Sequence, residues 1–210
     1  MSATLTPALF GLLTGLSLII AIGAQNAYLL RLGIAGRARV VLPAVAVCAG
    51  SDAVLILAGV LGLGAFVQSV PVALTLIRVI GSAFLFWYAF EAARRAWRPS
   101  GEVLELGTPS SGAAVGVRRV VVTMAALTWL NPHVYLDTVI LLGSIANGQP
   151  TGRWWWVAGA VLASVIWFTA LGFGARLLRP VFARPIAWRV LDAIIAVVMV
   201  AIGLRIAIGL

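Results

Sequence analysis

Lysine is absent from this 210-residue chain; there are six acidic residues, one cysteine and one histidine. Charged residues make up 10% of the sequence, against about 25% in a soluble domain. Each scarcity excludes something. With so few charges and 62% apolar residues, a water-soluble globule, a disordered chain and a coiled coil are ruled out. The lone Cys48 can form neither an internal disulfide nor a Cys-rich metal centre, and within an apolar stretch it reads as an inert buried thiol. No Gly-x-Ser-x-Gly, Walker or metal-spaced His/Cys/Asp motif occurs. No catalytic residue, resident metal or cofactor can be assigned, so the chain does not read as an enzyme. Its loops are too short for an ATPase domain, which leaves gradients as the energy source.

What the chain does have is apolar length. A bilayer-spanning helix needs about 20 mostly apolar residues. Six such spans are predicted, near 8–30, 40–65, 71–96, 119–145, 154–177 and 187–208. The first carries no Arg or Lys before its apolar run and no Ala-x-Ala-like exit, so it reads as a span and not as a cleaved signal. The fold expected is all-α, a polytopic membrane protein. A five-span arrangement, with the first segment re-entrant, is the alternative.

All fifteen basic residues are Arg, and the formal net charge is +9. Such an excess usually points to nucleic acid. Here the spans sort twelve of the fifteen into three loops. Arg31, Arg37 and Arg39 fall in the first, Arg94, Arg95, Arg98, Arg118 and Arg119 in the third, and Arg176, Arg179, Arg184 and Arg189 in the fifth. Cytoplasmic loops collect basic residues, so loops one, three and five are expected inside and both termini outside. The charge is then a topology signal, and no nucleic-acid partner is implied. Trp97, Trp154, Trp155, Trp156 and Trp188 fall at the predicted water–lipid borders, where indole anchors are favoured.

Residues 98–117 are rich in Pro, Gly and Ser and read as a cytoplasmic linker. It separates two halves, 1–97 and 118–210, within one transport domain. The halves are faintly alike: GAQNAYLL against LNPHVYLD, with Tyr28 over Tyr135, and LIRVIGSA against AWRVLDAI, with Arg78 over Arg189. Because three spans per half is odd, the copies would be inverted, as in many secondary transporters whose substrate site lies between repeats.

Three carboxylates fall inside predicted spans, where a central Asp costs roughly 2.5–3.5 kcal/mol. Asp192 has Arg189 one helical turn away, and a structural ion pair is expected there. Asp52 and Asp137 have no basic residue within four positions. They read as substrate or ion ligands, or else as partners of a distant arginine, for which Arg78 is the candidate. The first and fourth spans each contain a helix-weakening cluster, Gly23-Ala24-Gln25-Asn26 and Asn131-Pro132-His133. Pro132 removes a backbone donor, and the freed carbonyls must find partners inside the protein. Interrupted helices at mid-membrane form substrate and ion sites. Gln25, Asn26, Asn131 and Pro132 therefore join the predicted pathway, with His133, Tyr28, Tyr135 and Arg78 as accessory residues. Glycine pairs such as Gly11 and Gly15 suit close helix packing, within the chain or in a homo-oligomer.

The segment Leu127-Thr128-Trp129-Leu130-Asn131-Pro132-His133-Val134-Tyr135-Leu136-Asp137-Thr138 resembles the signature of the LysE/ArgO branch of basic amino-acid exporters. Gly23-Ala24-Gln25-Asn26 followed by Arg31-x-Gly33, together with Cys48-x-x-Ser51-Asp52 and Leu142-Gly143-Ser144, fits the same pattern. The resemblance implies a six-helix transporter of the bacterial inner membrane that exports L-lysine and L-arginine, with Asp52 and Asp137 as the family's acidic pair. The related RhtB branch, which exports neutral amino acids, differs after Asn-Pro, so His133 and Asp137 favour basic substrates. Protons are the expected coupling ion, and lipid is the expected surrounding. A divalent-cation exporter would also use intramembrane acids, but it calls for clustered oxygen ligands.

Overall fold

The computed structural model describes residues 2–20, 23–35, 38–62, 71–97, 116–131, 134–149 and 151–208. The predicted linker lies almost wholly outside these residues, as do Arg37, Arg98, Pro132 and His133 and the side chain of Arg78. Every element among the described residues is helical.

The first predicted span is two helices, α1 (Ser2–Ile19) and α2 (Ala24–Ala35), whose axes differ by 85°. The interruption falls where the sequence changes from apolar residues to Gly23-Ala24-Gln25-Asn26. Asn26 Nδ2 donates to the Ile19 carbonyl at 2.8 Å, satisfying an acceptor that the end of α1 leaves open. The extent differs from expectation as well. Arg31, predicted in a loop, lies within α2 and is buried.

Next come α3 (Ala38–Val60) and α4 (Pro71–Trp97). The fourth predicted span is not one kinked helix. Helix α5 (Val117–Trp129) stops at Leu130, and the chain resumes as a π-helical stretch, Tyr135–Leu142, followed by the short α6 (Gly143–Asn147). Two carbonyls at the end of α5 find non-helical partners. The Asn131 amide donates to Thr128 O at 3.3 Å, and the Tyr135 hydroxyl donates to Trp129 O at 2.8 Å.

The fifth span is α7 (Arg153–Gly174), continued by a 3₁₀ turn (Ala175–Leu178) and α8 (Arg179–Phe182). The sixth is α9 (Pro185–Ala207). Three helical stretches, Ala38–Val60, Arg153–Phe182 and Pro185–Arg205, are long and apolar enough to cross a membrane, and the bent α1–α2 pair makes a fourth if taken as one span. At 1.5 Å per residue, the 23 residues of α3 reach about 34 Å, against about 30 Å of hydrocarbon. Helix α4, with 27 residues, has the length too.

Packing gives the direction of each pair. Helix α1 lies along α7 in parallel: Pro7 meets Gly152, Gly11 meets Trp156, and Gly15 meets Ala160 and Ala163. A Cβ on Gly11 would stand 2.0 Å from the Trp156 carbonyl oxygen, so only glycine permits this approach. Farther along, Gly33 of α2 meets Gly172, so α2 continues on the same neighbour. Span four lies along α3, also in parallel. The Trp129 indole reaches Ser51, and Gly59 is set against Val139 and Gly143. Helices α4 and α9 pair antiparallel, with Arg95 beside Asp192 at one end and Phe86 against Gly203 at the other. The glycine faces of α1 and α3 are thus covered within the chain.

The core runs between these pairs. Leu29, Val41, Ala44, Cys48, Met124 and Phe168 form one cluster; Leu85, Tyr88, Leu127, Ile195 and Met199 form another. Many large apolar side chains on the outer faces of α3, α7 and α9 are exposed, as lipid-facing residues are. Trp97, Trp154 and Trp155 are exposed. Trp156 is not an anchor: it is fully buried against α1, where the neighbouring Gly11 gives it room.

Candidate functional site

Cys48, Ser51, Asp52 and Leu55 recur at helical spacing on the buried face of α3. Asp52 is 6% exposed, and among the described residues its carboxylate has no cationic partner. Its partner is Ser164 of α7, whose hydroxyl donates to Oδ2 at 2.7 Å. Ser51, one position earlier, accepts from Trp129 Nε1 at 3.0 Å. Since Trp129 is the last residue of α5, that bond ties α3 to the interruption of span four.

Gln25 enters from α2. It is 9% exposed and lies beside the Cys48 thiol, one helical turn before Asp52. Its amide Nε2 has no hydrogen-bond partner among the described residues. Asn26 stabilises the α1–α2 break, and Trp167 Nε1 points to its Oδ1 at 3.4 Å. Ser164 and Trp167 are three residues apart on α7, so one helix face serves both Asp52 and the first break. Asn131, at the second break, is buried. The two interrupted spans, α3 and α7 thus carry the buried polar residues Gln25, Ser51, Asp52, Asn131 and Ser164, with Asn26 half-buried at the first break.

Asp137 sits on the π-helical stretch and is half-buried. The contacts Trp129 to Ser51 and Val139 to Gly59 fix the register. They place Asp52 level with the break and Asp137 beyond it along α3. π-Helical turns are rare and recur at functional sites, since the extra residue per turn redirects side chains. Tyr135 braces the break through Trp129 O, and Tyr28 lies near Thr123 of α5. Pro132, His133 and the Arg78 side chain lie outside the described residues.

The third intramembrane carboxylate has different company from that expected. Asp192 pairs with Arg31 at 2.6 Å and Arg95 at 3.3 Å, both on Oδ1. Arg189 is exposed on the other side of α9 and makes no ion pair among the described residues. Adjacency in sequence loses here to the helix surface. Position 189 points outward, while Arg31 arrives from α2 because that helix runs on past its predicted end. The Arg31 guanidinium also lies 5.5 Å from the Trp188 ring, and Arg95 lies 5.8 Å from Tyr88. Arg179 closes the same end of α2 by donating to Ile34 O at 2.9 Å and Ala35 O at 3.2 Å. A cation is favoured at a helix C-terminus, where carbonyls lack intrahelical donors.

Of the residues sequence reasoning singled out, Gln25, Asp52 and Asn131 are buried, and Asn26 is half-buried at the first break. Ser51 and Trp129 entered that reasoning only as members of the family motifs, without a site role, and Ser164 was missed. The available signal was that Ser51 precedes Asp52 and that Ser164 is a polar residue within a long apolar run.

The LysE type translocator model matches residues 16–210. A Mycobacterium bovis protein described as a candidate amino-acid transporter is 48% identical over 188 residues, 90% of this chain and 90% of its own length. A Mycobacterium tuberculosis protein with the same description matches to the same degree. The Corynebacterium diphtheriae protein named lysine exporter LysE is 35% identical over 223 residues, covering 94% of this chain and 97% of its own. No solved structure matches. With a family model spanning nearly the whole chain and relatives covered almost end to end, the chain belongs to the LysE type translocator family: it is a multi-pass membrane protein and an amino-acid transporter, not an enzyme.

Proposed function

We propose that the protein exports basic L-amino acids, L-lysine and L-arginine, from the cytoplasm across a bacterial inner membrane. The carrying observation is Asp52: a buried carboxylate between two interrupted spans, whose neighbour is a serine and not a cation. Such a group is suited to receive the cationic side chain of a substrate. Gln25, whose buried Nε2 has no hydrogen-bond partner among the described residues, would take the substrate's α-carboxylate. Asn26, Asn131 and the backbone around Pro132 would complete that end, and Asp137 would receive the cation farther along α3. His133, Tyr28, Tyr135 and Arg78 are accessory at most.

The architecture we infer is six spans in two inverted repeats, 1–97 and 118–210, joined by the 98–117 linker. The helix pairing supports it: exchanging spans one, two and three for four, five and six turns the α1–α7 contact into the α3–span four contact and returns the α4–α9 contact to itself. In an inverted three-plus-three arrangement, span one must run parallel to span five, span two parallel to span four, and span three antiparallel to span six. The α1–α7, α3–span four and α4–α9 contacts have those directions. Arginine-rich loops one, three and five would face the cytoplasm.

A cationic amino acid leaving the cell climbs about 2.3 kcal/mol per charge per 100 mV of inside-negative potential. Inward proton movement would offset that work. Asp52 can hold a proton or a substrate cation, but not both, which makes exchange obligatory. The lysine-exporter name of the 35% identical relative is consistent with this substrate class.

The test is efflux of radiolabelled lysine and arginine by Asp52→Asn and Asp137→Asn at matched membrane abundance. Both variants are expected to lose efflux, and wild-type rates would overturn the carboxylate mechanism. Internal homoserine as a competitor separates basic from neutral substrates. In proteoliposomes, a rate indifferent to an imposed pH gradient would exclude proton exchange.

A further inference from the structure

The Asp52 carboxylate has two oxygens, and the structure treats them differently. Oδ2 accepts the Ser164 hydroxyl at 2.7 Å, with both residues buried and Ser164 fully so. Among the described residues, Oδ1 accepts nothing. Ser164 belongs to α7, a different helix, and its surroundings are small: Ala160 and Ala163 pack against Gly15 of α1 nearby. Helix packing therefore sets the backbone that carries the hydroxyl, and the bond to Oδ2 orients it.

The two basic side chains make different demands. A guanidinium is a planar fork that pairs best with both oxygens of a carboxylate through two parallel N–H···O bonds. An ammonium is a compact point charge whose three donors can be satisfied by separate acceptors. Resting on the reading that Asp52 receives the substrate cation, we propose that Ser164 is a specificity-determining residue. By occupying one acceptor site of Oδ2 it leaves Oδ1 the less encumbered oxygen, which suits the single-point ammonium of lysine and disfavours the bidentate pairing of the guanidinium of arginine. Arginine must then share Oδ2 with the serine hydroxyl, displace it, or bind through a single N–H. Ser164 is a positioning residue in this scheme: it acts on the substrate through Asp52.

The experiment is competitive efflux from proteoliposomes loaded with equal lysine and arginine, comparing wild type with Ser164→Ala and Ser164→Thr. Serine to alanine removes one oxygen and no carbon, so packing with α1 is kept. A charge-assisted hydrogen bond regained by arginine corresponds to about a tenfold shift of the lysine-to-arginine ratio toward arginine in Ser164→Ala. Ser164→Thr keeps the hydroxyl and should keep the wild-type ratio. An unchanged ratio in Ser164→Ala overturns the proposal while leaving basic amino-acid export intact. If wild type exports neither amino acid, the export reading fails and this inference falls with it. If Ser164→Ala does not transport, thermal stabilisation of the purified variant by lysine against arginine reads the same preference, and a wild-type preference there also overturns it.

Discussion

Asp52 and Asp192 are the same residue type, both buried, on helices that are each long and apolar enough to cross a bilayer. Asp192 shares one oxygen between Arg31 and Arg95 and joins α2, α4 and α9. Asp52 has one neutral hydroxyl, and Gln25 lies beside Cys48, one helical turn away. A buried ion pair offsets its desolvation only when its partners and geometry are good. The Asp192 cluster meets that condition internally, so the carboxylate needs nothing from outside. Asp52 does not, and under the proposed function its compensation comes from a proton or a cargo. The difference separates a carboxylate that holds helices together from one suited to bind and release.

The sharpest way to break this contrast is to neutralise both. Asp52→Asn should abolish efflux while leaving the protein folded, since no cation is stranded among the described residues. Asp192→Asn should do the reverse. Stripping two partly buried guanidiniums of their counter-charge costs about 3–5 kcal/mol, read as a lower melting temperature in detergent and lower membrane abundance. Replacing the pair together, Arg31→Met with Asp192→Leu, should recover much of that loss, because well-packed apolar residues often equal or exceed a buried ion pair. Arg189→Gln should be the quietest, within about 0.5 kcal/mol of wild type, as for a surface position without partners. A large effect at Arg189 would restore the local ion pair that its sequence position suggests.

The sequence shows the existence and approximate placement of the long helices well, because their apolar length leaves little choice. Both interruptions are readable as well. Glycine and amides at 23–26, and proline at 132, weaken a helix through their own chemistry, wherever the rest of the chain goes. The partner of Asp192 is not readable in the same way. Arg31 is 161 residues away in sequence, and its arrival depends on how far α2 extends and which face it turns to α9. Ser164 is invisible for a related reason: a serine in an apolar helix ordinarily bonds its own backbone, and nothing local says that a carboxylate waits on another helix. Composition also misplaces Trp156. Three consecutive tryptophans look like one interfacial anchor, yet 100° per residue turns the third one inward.

The parallel pairing of α1 with α7 has a consequence for synthesis. The surface that receives Gly11 and Gly15 begins at Arg153, so for most of translation α1 has no partner within its own half. Span two likewise waits for span four. Neither half can bury its glycine faces alone, and the two halves are expected to assemble only once the fifth span has been inserted. Separately expressed halves should be cleared by membrane proteases unless they are made together.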